Sequence, residues 1–198
     1  MDSSLTPTSY AILGLLAVRP WTTYELAKQV QRSLGWFWPR AERKLYDEPK
    51  RLLAAGFATA TDQRTGRRPK TVYAITPAGR RALRHWLGEE PAPPTLEIEA
   101  LVKVFFADAG TLDQLRGTLR NVAETAQSRT AQLRAMVDPI LTGPYEFEAR
   151  MPTNALALRF NFAMEEAMAQ WAGWALEQTS TWHSPTDVAG WDWRAALT

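Results

Sequence analysis

The 198-residue chain contains no cysteine and only two histidines, His85 and His183, which excludes a disulfide framework, a thiolate metal site and a cysteine nucleophile. Its net charge of +2 conceals a split: residues 1–90 carry 15 Lys and Arg against 8 Asp and Glu, and residues 91–198 carry 8 against 13. A basic half joined to an acidic half predicts two domains with different tasks, only one of them suited to a polyanion. The N-terminus lacks a basic leader and the apolar run Tyr10–Val18 is too short to span a bilayer, so a cytoplasmic protein without a membrane segment is expected.

Thr6-Pro7 supplies an N-cap and a proline at the first helical position. An apolar helix follows through Ile12, Leu13, Leu15, Leu16 and Val18. Arg19-Pro20 stops it, because a residue before proline avoids helical angles. Thr22-Thr23-Tyr24-Glu25 matches a capping box and opens a second helix over 23–33, with Leu26, Ala27 and Val30 facing inward. After the turn Leu34–Trp38, Pro39 is expected to start a third helix. Its inward positions are Ala41, Leu45, Pro49, Leu52 and Leu53, and Gly56 stands just past its end. Phe57–Thr61 and Thr71–Ile75 have strand composition around the turn Asp62–Lys70, and Thr76-Pro77 begins a fourth helix carrying Leu83, Trp86 and Leu87.

Three prolines at 91, 93 and 94 cannot continue that helix, and they set the expected domains at 1–90 and 95–198. Beyond them a helix is predicted over Leu96–Ala107, with Glu97 and Glu99 opposing the positive end of its dipole. Thr111-Leu112-Asp113-Gln114 is a second capping box. From it Leu112, Leu115, Leu119, Val122, Ala126, Leu133, Met136 and Ile140 follow a 3-4 spacing broken only by Arg129. Pro152-Thr153 opens a last long helix with Leu156, Phe160, Ala163, Ala167, Trp171 and Trp174 in a similar stripe. Two such helices should pair, within one chain or between chains. The tail Ser184–Thr198, which holds Trp191 and Trp193, is expected to pack back on them.

Arg40, Arg43, Lys44, Tyr46, Asp47 and Lys50 lie off the apolar stripe of the third helix. That arrangement suits a helix whose back holds to a core while its front reaches base edges and phosphates. It equally describes a solvated amphipathic helix with ion pairs such as Arg43–Asp47 and Lys44–Glu48. The turn Arg64-Thr65-Gly66-Arg67-Arg68-Pro69-Lys70 puts four cations in seven residues, a density that favours contact with phosphates or a minor groove. Helix, strand, basic turn, strand, helix is the outline of a winged helix-turn-helix, a DNA-reading module. The fold class expected is mainly α with a small β-hairpin: an N-terminal winged helix-turn-helix and a C-terminal helical dimerisation domain. Trp36, Trp38, Phe160, Trp171 and Trp174 are candidates for core packing, a dimer interface or an aromatic effector site. Glu146, Glu148, Glu165 and Glu166 have no histidine, metal motif or glycine-rich phosphate loop beside them, so no catalytic residue, metal or cofactor is expected.

The string Thr8-Ser9-Tyr10-Ala11-Ile12-Leu13-Gly14-Leu15-Leu16, then Thr23-Tyr24-Glu25-Leu26, Leu45-Tyr46, Lys50-Arg51-Leu52 and Gly56-Phe57, resembles the PadR transcriptional regulators. Gly66-Arg67-Arg68-Pro69-Lys70 followed by Tyr73-Ala74-Ile75-Thr76-Pro77-Ala78-Gly79 fits the same pattern. The resemblance covers about residues 5–90. It implies a homodimeric winged-helix repressor of double-stranded DNA with a near-palindromic operator, dimerised through its C-terminal helices and released by a small, often phenolic molecule. On that pattern Arg40, Arg43, Lys44, Tyr46 and Lys50 would contact DNA from the helix, and Arg67, Arg68 and Lys70 from the wing. Pro49 stands where the family usually has leucine. Inside a continuous helix it removes one hydrogen bond and introduces a kink that re-aims Lys50 and Arg51. Two other readings keep the fold and change the task. In one the aromatic-rich helical half binds a small molecule while DNA binding is weak. In the other the winged helix binds a protein.

Overall fold

The computed structural model describes residues 5–39, 44, 46–65, 68–187 and 190–197, with side chains for these except at 64, 65, 68 and 69. It divides into two compact units, Met1–Pro93 and Pro94–Thr198.

In the first unit α1 spans Pro7–Val18 and begins at Thr6 as expected. The Thr6 hydroxyl accepts from the Ser9 backbone while the Ser9 hydroxyl accepts from that of Thr6. β1 (Trp21–Thr22) follows, then α2 (Thr23–Arg32), started by the Thr22–Glu25 capping box. The strands β2 (Ala58–Thr65) and β3 (Arg68–Ile75) pair antiparallel with Ala58 opposite Ile75 and Thr65 opposite Arg68. Among the described residues the sheet has three strands in the order β1-β3-β2, with Trp21 opposite Tyr73. Sequence reading supplied only two strands and made them too short. Trp21-Thr22 is a two-residue segment between a proline and a capping box, with no room for period-2 alternation to register. The basic stretch 62–65 and 68–70 joins the ladder because backbone pairing propagates through exposed polar positions that carry no apolar signal.

The third helix is corrected. Lys44 is helical, but Tyr46 and Asp47 form a turn, and α3 starts afresh at Glu48 and runs to Ala54. Pro49 is therefore not a kink inside one long helix. It occupies the second position of a new one, where its missing N–H has no intrahelical partner to lose. Of the predicted inward positions Pro49 and Leu52 are buried, Leu53 is 40% exposed, and Ala41 and Leu45 lie outside the described residues. Leu53 turns outward because the restart at Glu48 rotates the buried face onto Glu48, Pro49 and Leu52. Gly56 ends the helix with φ +76. Its N–H bonds Leu53 O at 3.0 Å and that of Phe57 bonds Leu52 O at 2.9 Å, the Schellman arrangement. α4 (Pro77–Trp86) is capped by Thr76, and its Gly79 lets the Phe57 carbonyl approach so closely that an added Cβ would sit 2.3 Å from that oxygen. Ile12, Leu13, Leu16, Leu26, Val30 and Leu52 form a solvent-free core, each contributing about 1.5–3 kcal/mol by burial.

The second unit holds α5 (Glu99–Phe105), the 31-residue α6 (Leu112–Thr142) and the 29-residue α7 (Met151–Thr179). The helix predicted over Leu96–Ala107 is shorter, and a 3-10 turn at Ala107–Ala109 follows it. Helices α6 and α7 run antiparallel: Arg129 pairs with Glu165, and Arg116 near one end of α6 bonds the Thr179 carbonyl at the opposite end of α7. The α6 stripe packs as expected, with Leu115, Leu119, Val122, Ala126 and Leu133 buried. Arg129, the break in that stripe, is answered across the helix pair by Glu165 at 2.5 Å. The α7 stripe points elsewhere. Leu156, Phe160 and Trp174 are 75%, 56% and 42% exposed, whereas Asn161, Glu165, Ala172 and Thr179 are buried. The tail packs back on α7: Trp191 lies 6.1 Å from Trp174 and 5.3 Å from Trp182, and its indole N–H donates to Gln178. Among the described residues no helix is long and apolar enough to cross a membrane.

Candidate nucleic-acid interface

The polar flank of the module carries exposed Lys44, Tyr46 (64% exposed) and, on the first turn of α3, exposed Lys50. Arg51 beside it leans back to Glu48 at 3.5 Å. Glu48 itself is 3% exposed and takes the Ser9 hydroxyl at 2.5 Å, so it faces the core instead of forming the solvated pair with Lys44 that the spacing suggested. Arg40 and Arg43 lie outside the described residues, as does Arg67. On the hairpin Arg68 is the first residue of β3 and Lys70 is exposed. Thr71 donates to Asp62 across the strands at 2.9 Å, which braces the base of the wing.

The wing and α2 lie close enough to feel each other's charge. Hydrogen bonds from the Thr22 backbone and hydroxyl, with the charges of Arg19 and Lys70, hold the Glu25 carboxyl below its ordinary value. On the same helix Tyr24 is 68% exposed, and the Lys28 ammonium sits 5.2 Å from its ring centroid. Sequence reasoning placed Tyr24 in the capping box and the family pattern but counted neither residue as a DNA contact. Their signal was present, an aromatic and a cation four residues apart on the outward face of a capped helix.

The remaining aromatic candidates belong to both units. Trp36 is half-buried in a 3-10 turn (Leu34–Trp36), and half-buried Trp38 donates its indole N–H to Thr8 at 3.1 Å. Phe160, half-buried Trp171 and Trp174 belong to α7.

Residues 12–85 match the transcriptional regulator PadR-like family. The chain carries a PadR-like transcriptional-regulator domain. Residues 98–180 match the virulence activator alpha C-terminal family, so the helical unit beside the PadR-like domain has its own family counterpart. The negative transcriptional regulator PadR of Bacillus subtilis is 25% identical over 166 residues, 82% of this chain and 91% of that one. The crystal structure of Bacillus subtilis PadR in complex with operator DNA matches with a TM-score of 0.76 at 23% identity, covering 88% of this chain and 99% of that one. The same protein in complex with p-coumaric acid matches with a TM-score of 0.68 at 22% identity, covering 89% and 98%. These relatives are transcriptional regulators, a non-enzymatic role.

Proposed function

We propose that this PadR-like regulator is a cytoplasmic repressor that binds a near-palindromic operator as a homodimer and leaves it when a small planar aromatic molecule binds. The observation that carries the DNA reading is the exposure of Lys44, Tyr46, Lys50 and Lys70 on one PadR-like module, whose solved relative was captured on operator DNA. Lys44, Lys50 and Lys70, together with Arg40, Arg43, Arg67 and Arg68, neutralise phosphates or read base edges, and Tyr46 donates its hydroxyl to a phosphate. The relative's complex with p-coumaric acid supports an aromatic effector, for which Phe160, Trp171 and Trp174 are the candidate contacts beside Trp36 and Trp38.

The domains follow the charge split: 1–90 binds DNA, and 95–198 dimerises and senses. Dimerisation uses the exposed face of α7 at Leu156, Phe160 and Trp174 and the exposed Leu101, Val102, Phe105 and Phe106 at α5. Apolar residues left bare along a helix at this spacing need a second surface to cover them.

Fluorescence anisotropy with the DNA upstream of the protein's own gene, against scrambled DNA and across a salt series, tests the reading. Specific, salt-sensitive binding is expected, and binding equal to that of scrambled DNA across the series counts against a self-regulating operator. Arg67→Ala combined with Arg68→Ala should weaken binding to every sequence and flatten the salt slope by about two phosphate contacts. An unchanged slope would remove the wing from the interface.

A further inference from the structure

The first turn of α1 is tied to Trp38 and Glu48, the residues on either side of the stretch 39–47, which carries Arg40, Arg43 and Lys44, three of the four helix cations proposed to read DNA. At the upstream end the Trp38 indole N–H donates to the Thr8 hydroxyl at 3.1 Å. At the downstream end the Ser9 hydroxyl donates to Glu48 Oε1 at 2.5 Å. Thr8, Ser9 and Glu48 are 7%, 0% and 3% exposed. Taking a carboxylate out of water is costly unless its lone pairs are filled. Ser9 fills one, and the Arg51 guanidinium lies 3.5 Å away. Ser9 in turn accepts the Thr6 backbone N–H at 2.9 Å, so one relay runs from the cap of α1 into the first turn of α3.

We propose that Thr8 and Ser9 are positioning residues for operator recognition: two neighbouring hydroxyls on α1 fix, through Trp38 and Glu48, where the DNA-reading stretch enters and leaves the module. This rests on the DNA-binding reading above. Both anchors sit on consecutive residues of one helical turn, so together they fix two points of the chain, Trp38 and Glu48, on either side of that stretch. Hydrogen bonds to base edges demand distance and angle. Attraction between a cation and a phosphate falls gently with distance. Loosening either anchor therefore costs discrimination between sequences before it costs general affinity for DNA.

The test uses the full chain and DNA that it selects from a random pool, compared with scrambled DNA by anisotropy across a salt series. Variants Thr8→Val, Trp38→Phe and Ser9→Ala are measured at a temperature where circular dichroism shows them folded. The ratio of selected to scrambled affinity should fall about tenfold when either tie is cut, the cost of about one mismatched base pair. Affinity for scrambled DNA and the salt slope should stay at wild-type values. Thr8→Val together with Trp38→Phe should be no worse than the poorer single variant, since both remove the same bond. If Ser9→Ala fails to fold, the Thr8–Trp38 tie alone decides. A ratio equal to that of wild type, or an equal loss on both DNAs, overturns the positioning role. A wild-type chain that selects no DNA overturns the DNA-binding reading beneath it.

Discussion

Arg129 and Glu165 meet at 2.5 Å between α6 and α7, with side chains 40% and 10% exposed. Losing one partner strands a mostly buried carboxylate, while replacing both with apolar side chains restores a continuous stripe. Arg129→Met should lower stability by about 2 kcal/mol, a value discounted for the solvent reaching the arginine. Arg129→Met with Glu165→Leu should return to within about 1 kcal/mol of wild type. Urea denaturation at one fixed protein concentration reads both, and equal losses for single and double variants would refute the pairing argument. Glu25 supplies a prediction in pH. Its carboxyl is held below the ordinary glutamate value of 4.5 by hydrogen bonds from Thr22, so its charge contributes stability above that value and loses it as the pH falls through the lowered one. The stability gap between wild type and Glu25→Gln should therefore be widest near neutrality and close as the solution is acidified below 4.5. A gap that stays constant across that range would show that the carboxylate charge plays no part in the cap.

At the scale of the element, three glycines have distinct roles. Gly56 ends α3 at φ +76, so Gly56→Ala should cost about 1 kcal/mol from its left-handed angle. Gly117 lies inside α6 with nothing within 4 Å of an added Cβ, and Gly117→Ala should instead stabilise by about 0.5–1 kcal/mol. Thermal melts of the two variants should move in opposite directions; shifts of the same sign would refute this. Gly79 differs from both, because the Phe57 carbonyl occupies the space that a side chain needs. The caps at Thr6, Thr22, Thr76 and Thr111 were all readable, since each is a local pattern of three or four residues. The break before Glu48 was not. A proline at 49 is compatible with a kinked helix or a restarted one, and burial of Glu48 against Ser9, thirty-nine residues away, accompanies the restart.

For the whole molecule, the exposed apolar face of α7 is the feature with the largest consequence. A chain of 22.3 kDa should sediment at twice that mass, and Phe160→Glu combined with Leu156→Asp should return it to the monomer with its helix content kept. A wild-type monomer, or a charged variant that stays dimeric, would exclude this face as the seam. DNA affinity should fall when dimerisation is lost, because two half-sites are then no longer held together.

The amino-acid sequence by itself determined the winged-helix outline, the two-part charge, the caps and the heptad-like stripe of α6. Those depend on spacing and on neighbours a few residues apart. Tertiary structure alone decided that Trp21-Thr22 joins the sheet, that Glu48 turns inward and Leu53 outward, and that Arg129 finds Glu165. It also decided that the apolar stripe of α7 does not face α6. Two amphipathic helices can satisfy their periodicity with any apolar partner, so the period names the face and packing chooses what covers it.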